Sequence, residues 1–181
     1  MNRIMQGIIT LTIGAVGAVA ISGTIVLPGA TASIAPAVDS PFASVAWESH
    51  NYQQPSVGEF TLHGGKASVG ESKMTLERVA YGNLSSGEET AAVLIQRDDA
   101  SGPHQDVHLF RHFVAPNGMR VVAEYAPAGA LPFSAQMTSV SKFDIDDSQH
   151  VLLNGITEVG VTNVILTQVG RSVLLSPVHL R

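Results

Sequence analysis

Thr90-Ala91-Ala92-Val93-Leu94-Ile95-Gln96 is the stretch from which the fold can be read. It is a continuous apolar run bounded by polar residues. A strand with one face in water alternates apolar and polar residues, so an unbroken run of this length reads as a strand buried on both faces. Working upstream, Lys73–Tyr81 alternates, with Met74, Leu76 and Arg78 expected on one face and Thr75, Glu77 and Val79 on the other. Further upstream, Glu59–Leu62 and Lys66–Val69 flank His63-Gly64-Gly65, a hairpin candidate in which glycine can take positive φ. Downstream, Gln105–Val114 and Met119–Tyr125 are joined by Ala115-Pro116-Asn117-Gly118, whose Asn-Gly pair is a strong turn signal. Ser139–Ile145, Gly160–Leu166 and Arg171–His179 supply three more short runs, and Val151–Leu153 with Gly155 reads as an edge strand or part of a loop. Strands spaced by roughly 8–15 residues with Gly or Pro between them suit an antiparallel meander, sandwich or barrel-like domain. The one candidate helix is Phe42–His50.

Composition narrows the function classes. The chain has 181 residues, ten Lys+Arg against fifteen Asp+Glu, a net charge of −5, 45% hydrophobic and 14% charged residues. That balance belongs to a folded chain and not to a disordered one. The absence of cysteine excludes disulfides, thiolate zinc sites, iron–sulfur clusters and a cysteine nucleophile. A pI near 5.7 gives no broad basic surface, so no nucleic-acid partner is expected.

The first 32 residues read as a targeting segment. Arg3 is the only charge in the first 38 residues, and it precedes an apolar run, Ile8–Leu27, that ends at Pro28-Gly29-Ala30-Thr31-Ala32. A basic tip, an apolar stretch and an A-x-A-like end make a signal peptide with cleavage after Ala32, read through Ala30 and Ala32. The competing reading is an uncleaved N-terminal anchor helix, because about 20 apolar residues suffice to cross a bilayer. No cysteine follows for lipid attachment, and no paired arginine precedes the run. Under either reading the remainder is extracytoplasmic, either secreted or tethered through residues 8–27. Residues 33–41 are expected to be a short Pro/Ala/Ser linker, and residues 42–181 a single β-rich exported domain.

The stretch Leu76–Gln96, LERVAYGNLSSGEETAAVLIQ, resembles a pattern found in exported bacterial envelope proteins of LppP/LprE type. In those proteins an alternating strand leads into Tyr-Gly-Asp-Leu, a short Asp-Gly-Lys-Glu-type loop and an Ala-Val-Val-rich strand. Here Val79-Ala80-Tyr81-Gly82-Asn83-Leu84 and Ala91–Ile95 carry the likeness, with Asn83 where the aspartate would stand. Glu59–Ala67, Val107–Val114 and Met119–Ala126 fit the neighbouring strands. The resemblance covers about half of the exported part. It implies a small β-rich domain outside the cytoplasm and transfers no catalytic residue.

The loop Asn83–Glu89 invites a calcium reading, since a hard cation needs six to eight oxygens. Asn83, Ser85 and Ser86 stand where carboxylates would be needed, and the adjacent Glu88 and Glu89 point to opposite faces. A solvated turn, with Gly82 and Gly87 supplying unusual dihedrals, is the preferred account. Asn83-Leu84-Ser85 also matches a glycosylation acceptor. A second cluster, Asp144-Ile145-Asp146-Asp147, puts Asp144 and Asp146 on one exposed side if Ile145 is buried; an acidic turn ending the strand is again the preferred account.

Seven histidines occur, and His104, His108 and His112 are spaced by four. On a helix they would form a ligand row. Gly102-Pro103 and the apolar residues around them favour a strand instead, where residues four apart lie ~13 Å from each other. His104, Asp106 and His108 are nearer, at ~6.6 Å between successive members, and with a further partner could grip zinc or copper. The metal-ligating candidates are therefore His104, Asp106, His108, Asp144 and Asp146. The preferred account of the row is a polar strand face with Phe110 as its one apolar member.

No G-x-S-x-G elbow, P-loop or G-x-G-x-x-G is present. Ser139-Val140-Ser141-Lys142 matches S-x-x-K, but in a strand-like context, and Leu131–Ala135 lacks the glycine of a wall-sorting signal. The expected function is that of a non-enzymatic exported or envelope-associated domain, a binding or structural accessory without a cofactor. Its partner would be an envelope protein, peptide or polymer, met through a sheet edge or a face carrying Tyr81, Phe110, Phe113, Tyr125 and Phe133. The alternative is a small metal-dependent or hydrolytic enzyme using His/Asp residues near 104–112 and 144–150.

Overall fold

Why Thr90–Gln96 lacks alternation becomes clear from what lies on either side of it. In the computed structural model, residues 36–37, 39–84, 87–124, 133–135, 137–157, 160–169 and 172–178 are described. The run lies inside β5 (Glu89–Asp99), flanked by β4 (Ser72–Asn83) and β6 (Gly102–Val114). With β3 (Lys66–Val69) and β7 (Arg120–Glu124) these strands make an antiparallel sheet of order β3-β4-β5-β6-β7, curled into a half-barrel. The short β8 (Phe133–Ala135) pairs with β6 beyond the end of β7. A second antiparallel sheet, β12-β11-β10-β9, is built from β9 (Ser139–Ile145), β10 (His150–Thr157), β11 (Gly160–Val169) and β12 (Ser172–Val178). A third, two-stranded piece pairs β1 (Asn51–Gln54) with β2 (Gly58–Thr61).

These pieces stack in three layers with the half-barrel in the middle. Ala92 and Leu94 of β5, with Ala80, Val107 and Leu109, pack against Met137, Phe143, Ile145, Val151 and Leu153 of the second sheet. Ala91, Val93 and Ile95 face the other way, joining Met74, Val79 and Phe110 beneath Phe42, Trp47, Tyr52, Phe60 and Leu62. Successive β5 side chains thus enter two different cores, so no position is left for a polar residue. The mainly β, antiparallel class expected from the sequence is the observed one.

Several local expectations need correction. Phe42–His50 is not a helix: turns span its first part and only Trp47–Ser49 form a single 3-10 turn, which lays Phe42 and Trp47 onto the second core. Local periodicity could not reveal that these aromatics form a lid over strands that begin some 30 residues later in the chain. The linker expected at residues 33–41 is packed at its end, where Ser40 is buried and donates to Glu89 Oε1 at 2.6 Å. Glu59–Leu62 and Lys66–Val69 do not form a hairpin with each other. β2 pairs with β1 and β3 with β4, and only a single bridge, His63 to Lys66, survives across the Gly64-Gly65 turn.

The alternation expected over Lys73–Tyr81 breaks at a β-bulge. The pairing with β5 shifts between Leu76 and Arg78, so Glu77 is an extra residue. Met74 and Leu76 therefore share the lid-side face with Val79 and Tyr81, and Arg78 falls on the opposite face. There it donates to the carbonyls of Val140 and Ser141 at 2.9 and 3.3 Å, tying β4 to the edge of β9. Gly82 does not take a positive φ, as Gly87 does at 72°; a Cβ on Gly82 would lie 2.7 Å from Ile145 Cγ2, so it is glycine because β9 passes close by. Val151–Leu153 belongs to neither an edge strand nor a loop: β10 is an inner strand, paired to β9 and β11.

The Asn-Gly turn behaves as read. β6 and β7 form a hairpin with Val114 opposite Arg120, and Gly118 takes φ 79°. The leader with Ala30 and Ala32, together with Ser85, Ser86, Tyr125, Leu131 and His179, lies outside the described residues. No described helix is long and apolar enough to cross a membrane.

Candidate functional site

His104, Asp106, His108, Phe110 and His112 share one face of β6, as a strand requires, and that face looks toward the N-terminal lid and not toward solvent. The row read as a polar strand face is therefore largely interior. Its members are held apart by separate partners. His104 Nε2 lies 2.8 Å from the Ser101 hydroxyl and 3.6 Å from Asp99. Asp106 accepts from Arg97 Nε at 3.0 Å, and Arg97 also binds Asp99. His108 Nδ1 lies 2.7 Å from Glu124 Oε1. His104, Asp106 and His108 thus turn to different neighbours, His112 Nε2 is buried without a hydrogen-bond partner among the described residues, and no group of three or more such side chains among the described residues could hold a metal ion. The same holds at the other cluster. Asp144 lies 3.9 Å from Lys142 and accepts from the Ile145 amide at 2.9 Å, while Asp146 closes the β9–β10 turn by accepting from the His150 amide at 2.8 Å.

The described carboxylates of the Asn83–Glu89 loop turn to separate partners: Glu88 lies 3.1 Å from Arg111, and Glu89 binds Ser40.

The most constrained polar arrangement is one that sequence reading missed. Glu124 on β7 meets His108 through one oxygen and accepts from the Gln53 amide of β1 at 3.1 Å through the other. One carboxylate thereby links β6, β7 and the lid. Above it, the Tyr52 ring stands edge-on to His108 with centroids 5.3 Å apart, and the Tyr52 hydroxyl donates to the Trp47 carbonyl at 2.8 Å. His50 stands edge-on to both Trp47 and Phe110. Trp47 Nε1 donates to the Tyr81 hydroxyl at 2.7 Å. Desolvation is the leading influence on the proton affinity of three groups here, Tyr52, Tyr81 and His50. Burial pushes the Tyr52 phenol up, and the Glu124 charge adds to that. Burial also raises Tyr81, against the Trp47 hydrogen bond that opposes it. Burial holds His50 below its usual range, with Glu124 pulling it part of the way back.

A histidine oriented by a carboxylate is half of an acid–base relay, and a relay also needs an accessible second nitrogen with a reacting group beside it. His108 has no exposed side-chain surface, and its Nε2 is buried without a hydrogen-bond partner among the described residues. A cleft of ≈ 430 Å³ lies elsewhere among the described residues, between residues 39–41 and 43–45 and Arg120 and Val122 of β7. Its described lining contains Asp39, Ser40, Ser44 and Arg120 but no histidine. The aromatics expected to form a recognition face divide. Phe110 is fully buried, Tyr81 is half-buried in the lid core, and Phe113 is exposed.

The signal that could have found Glu124 was present in the sequence. The Asn117-Gly118 turn fixes the hairpin register, which puts Glu124 opposite Phe110 and diagonal to His108. Nothing comparable marks Tyr52 or His50, whose strand and turn carry no apolar pattern.

Comparison with protein-family models, with curated proteins and with solved structures gives no match to this chain.

Proposed function

We propose that this is an exported, envelope-associated β-domain that acts by binding or as a structural accessory, delivered by its apolar N-terminal segment. The observation that carries the non-catalytic part is the closure of the His108–Glu124 pair. Among the described residues, the histidine–carboxylate contact short enough to orient an imidazole has its imidazole fully buried, and the described lining of the open cleft contains no histidine. The likeness of Leu76–Gln96 to LppP/LprE-type envelope proteins supports the location, as does the run Ile8–Leu27 behind Arg3. A metal-dependent or hydrolytic enzyme is the second reading, and the 2.7 Å His108–Glu124 contact is what favours it.

The test is fractionation of bacterial cells expressing the full chain, with protease added to intact spheroplasts. Export requires the β-domain in the extracytoplasmic or membrane fraction and sensitive to external protease. Recovery of the intact chain from the cytosol overturns that reading. Hydrolytic turnover by the purified protein that disappears in a folded His108→Gln variant overturns the non-catalytic reading.

A further inference from the structure

The tip of the β6–β7 hairpin is greasy on both sides. Phe113 is 47% exposed, Val114 64%, Met119 61% and Val121 42%. Phe113 lies directly opposite Val121, so these two share one face, and Val114 opposite Arg120 lies on the other. A docked strand or a partner sheet would cover one face and leave the other in water. Apolar residues on both faces of a projecting tip suit immersion in a medium that surrounds it.

The backbone at the tip is prepared for such a medium. The Ala115 amide donates to the Met119 carbonyl, the Gly118 amide to the Ala115 carbonyl, and the Met119 amide to Asn117 Oδ1, each within 3.0 Å. Pro116 has no amide to satisfy. The turn thus closes three of its own backbone bonds, while β7, the edge strand of its sheet, keeps an open edge that needs water or lipid headgroups as partners, so the depth that suits the tip is the headgroup layer and not the hydrocarbon.

Position and charge say which surface this is. Residues 39–41 and 43–45 line one cleft with Arg120 and Val122, so the chain enters the domain beside this hairpin, directly downstream of the apolar run Ile8–Leu27. The segment from Pro28 to Ser40 spans at most ~45 Å. Arg111 is bound to Glu88, which leaves Arg120 as the hairpin's outer cation, and no acidic residue occurs between Arg111 and Arg120. Asp39 lines the same cleft as Arg120. A basic and apolar tip on a chain of net charge −5 matches an anionic bilayer surface.

We infer that the β6–β7 tip is a membrane-seating element that rests in the headgroup layer of an anionic bilayer, next to where residues 8–27 enter it. The inference rests on the proposed delivery to a membrane and deepens it, because it favours retention of the N-terminal segment over its removal. Phe113, Met119 and Val121 enter the interface, and Arg120 reaches out to lipid phosphates.

The chain has no native cysteine, so single-cysteine probes report cleanly. The full chain is reconstituted into vesicles of phosphatidylcholine and phosphatidylglycerol with an environment-sensitive fluorophore on Met119→Cys, or on Glu71→Cys at the exposed β3–β4 turn. The residue-119 probe should shift to the blue and be quenched by lipids brominated on the acyl chains, while the residue-71 probe stays water-like. Adding Arg120→Glu should lower the quenching at residue 119 by about five-fold or more in anionic vesicles. A residue-119 probe as water-exposed as that at 71, in protein that floats with the vesicles, overturns the inference and leaves the delivery reading standing. Failure of the full chain to float at all overturns both. A blue shift without lipid quenching that grows with protein concentration assigns the tip to a second copy and also overturns the inference.

Discussion

Phe110 and Phe113 sit three residues apart on β6, and the three-layer arrangement gives them opposite fates. Phe110 is 0% exposed and packs against Trp47, His50 and Tyr52 at ring-centroid distances of 4.9, 5.0 and 5.7 Å. Truncating such a ring removes the transfer free energy and leaves a cavity that the lid can only partly fill, which costs about 3–5 kcal/mol. For a domain of this size that lowers the melting temperature by about 6–20 °C. Phe113 is 47% exposed on the other face, and Phe113→Ala should change stability by no more than about 0.5 kcal/mol. Urea unfolding of the two variants beside the parent, followed by far-ultraviolet circular dichroism and by fluorescence, measures both. Trp47 is the single tryptophan and lies in the lid, so its emission reports the layer that Phe110 supports. Equal effects of the two substitutions, or a Phe110→Ala variant within about 1 kcal/mol of the parent, would refute the placement of residues 42–62 over β5 and β6.

Three further outcomes follow from named contacts. Gly82→Ala places a Cβ 2.7 Å from Ile145 Cγ2 and should cost about 1–3 kcal/mol in urea unfolding, whereas an alanine at a site free of close neighbours would not. Burial raises Glu77 above its ordinary 4.5, so its contribution is present below that pH and is lost as pH rises through the higher folded value; Glu77→Gln should therefore be more stable than the parent at pH 7. Burial lowers His50 below 6.5, so the unfolded chain binds its proton first, and stability present above pH 6.5 is lost as pH falls through the lower folded value; a His50→Phe variant should show a flatter denaturant midpoint between pH 7 and pH 5.

What the sequence disclosed and what it withheld divide along a physical line. The doubly buried character of Thr90–Gln96 was legible because burial on both faces removes alternation from the strand itself. The β6–β7 hairpin was legible because Asn117-Gly118 encodes its own turn geometry. The bulge at Glu77 was not, since an extra residue in a strand changes pairing without changing composition, and it inverted the faces assigned to Arg78 and Val79. The lid was missed for a related reason. Phe42, Trp47 and Tyr52 are held by strands distant in sequence, so no local period announces them. At the candidate site, the strand conformation of His104–His112 was foreseen, and so was the wide separation of its members. Glu124, Arg97 and the overlying Tyr52 were not, because cross-strand partners depend on register and on which layer covers a face.

The order in which the layers appear along the chain bears on how the molecule is made. Residues 42–62 are synthesised before the strands they cover, and that surface gains its last buried member only with Phe110. During elongation Phe42, Trp47 and Phe60 must wait uncovered while some fifty or more residues follow them. Chains whose early apolar segments lack late partners fold slowly and are prone to stray association. Residues 42–62 are thus the stretch whose covering by a holdase would be expected to raise the folded yield.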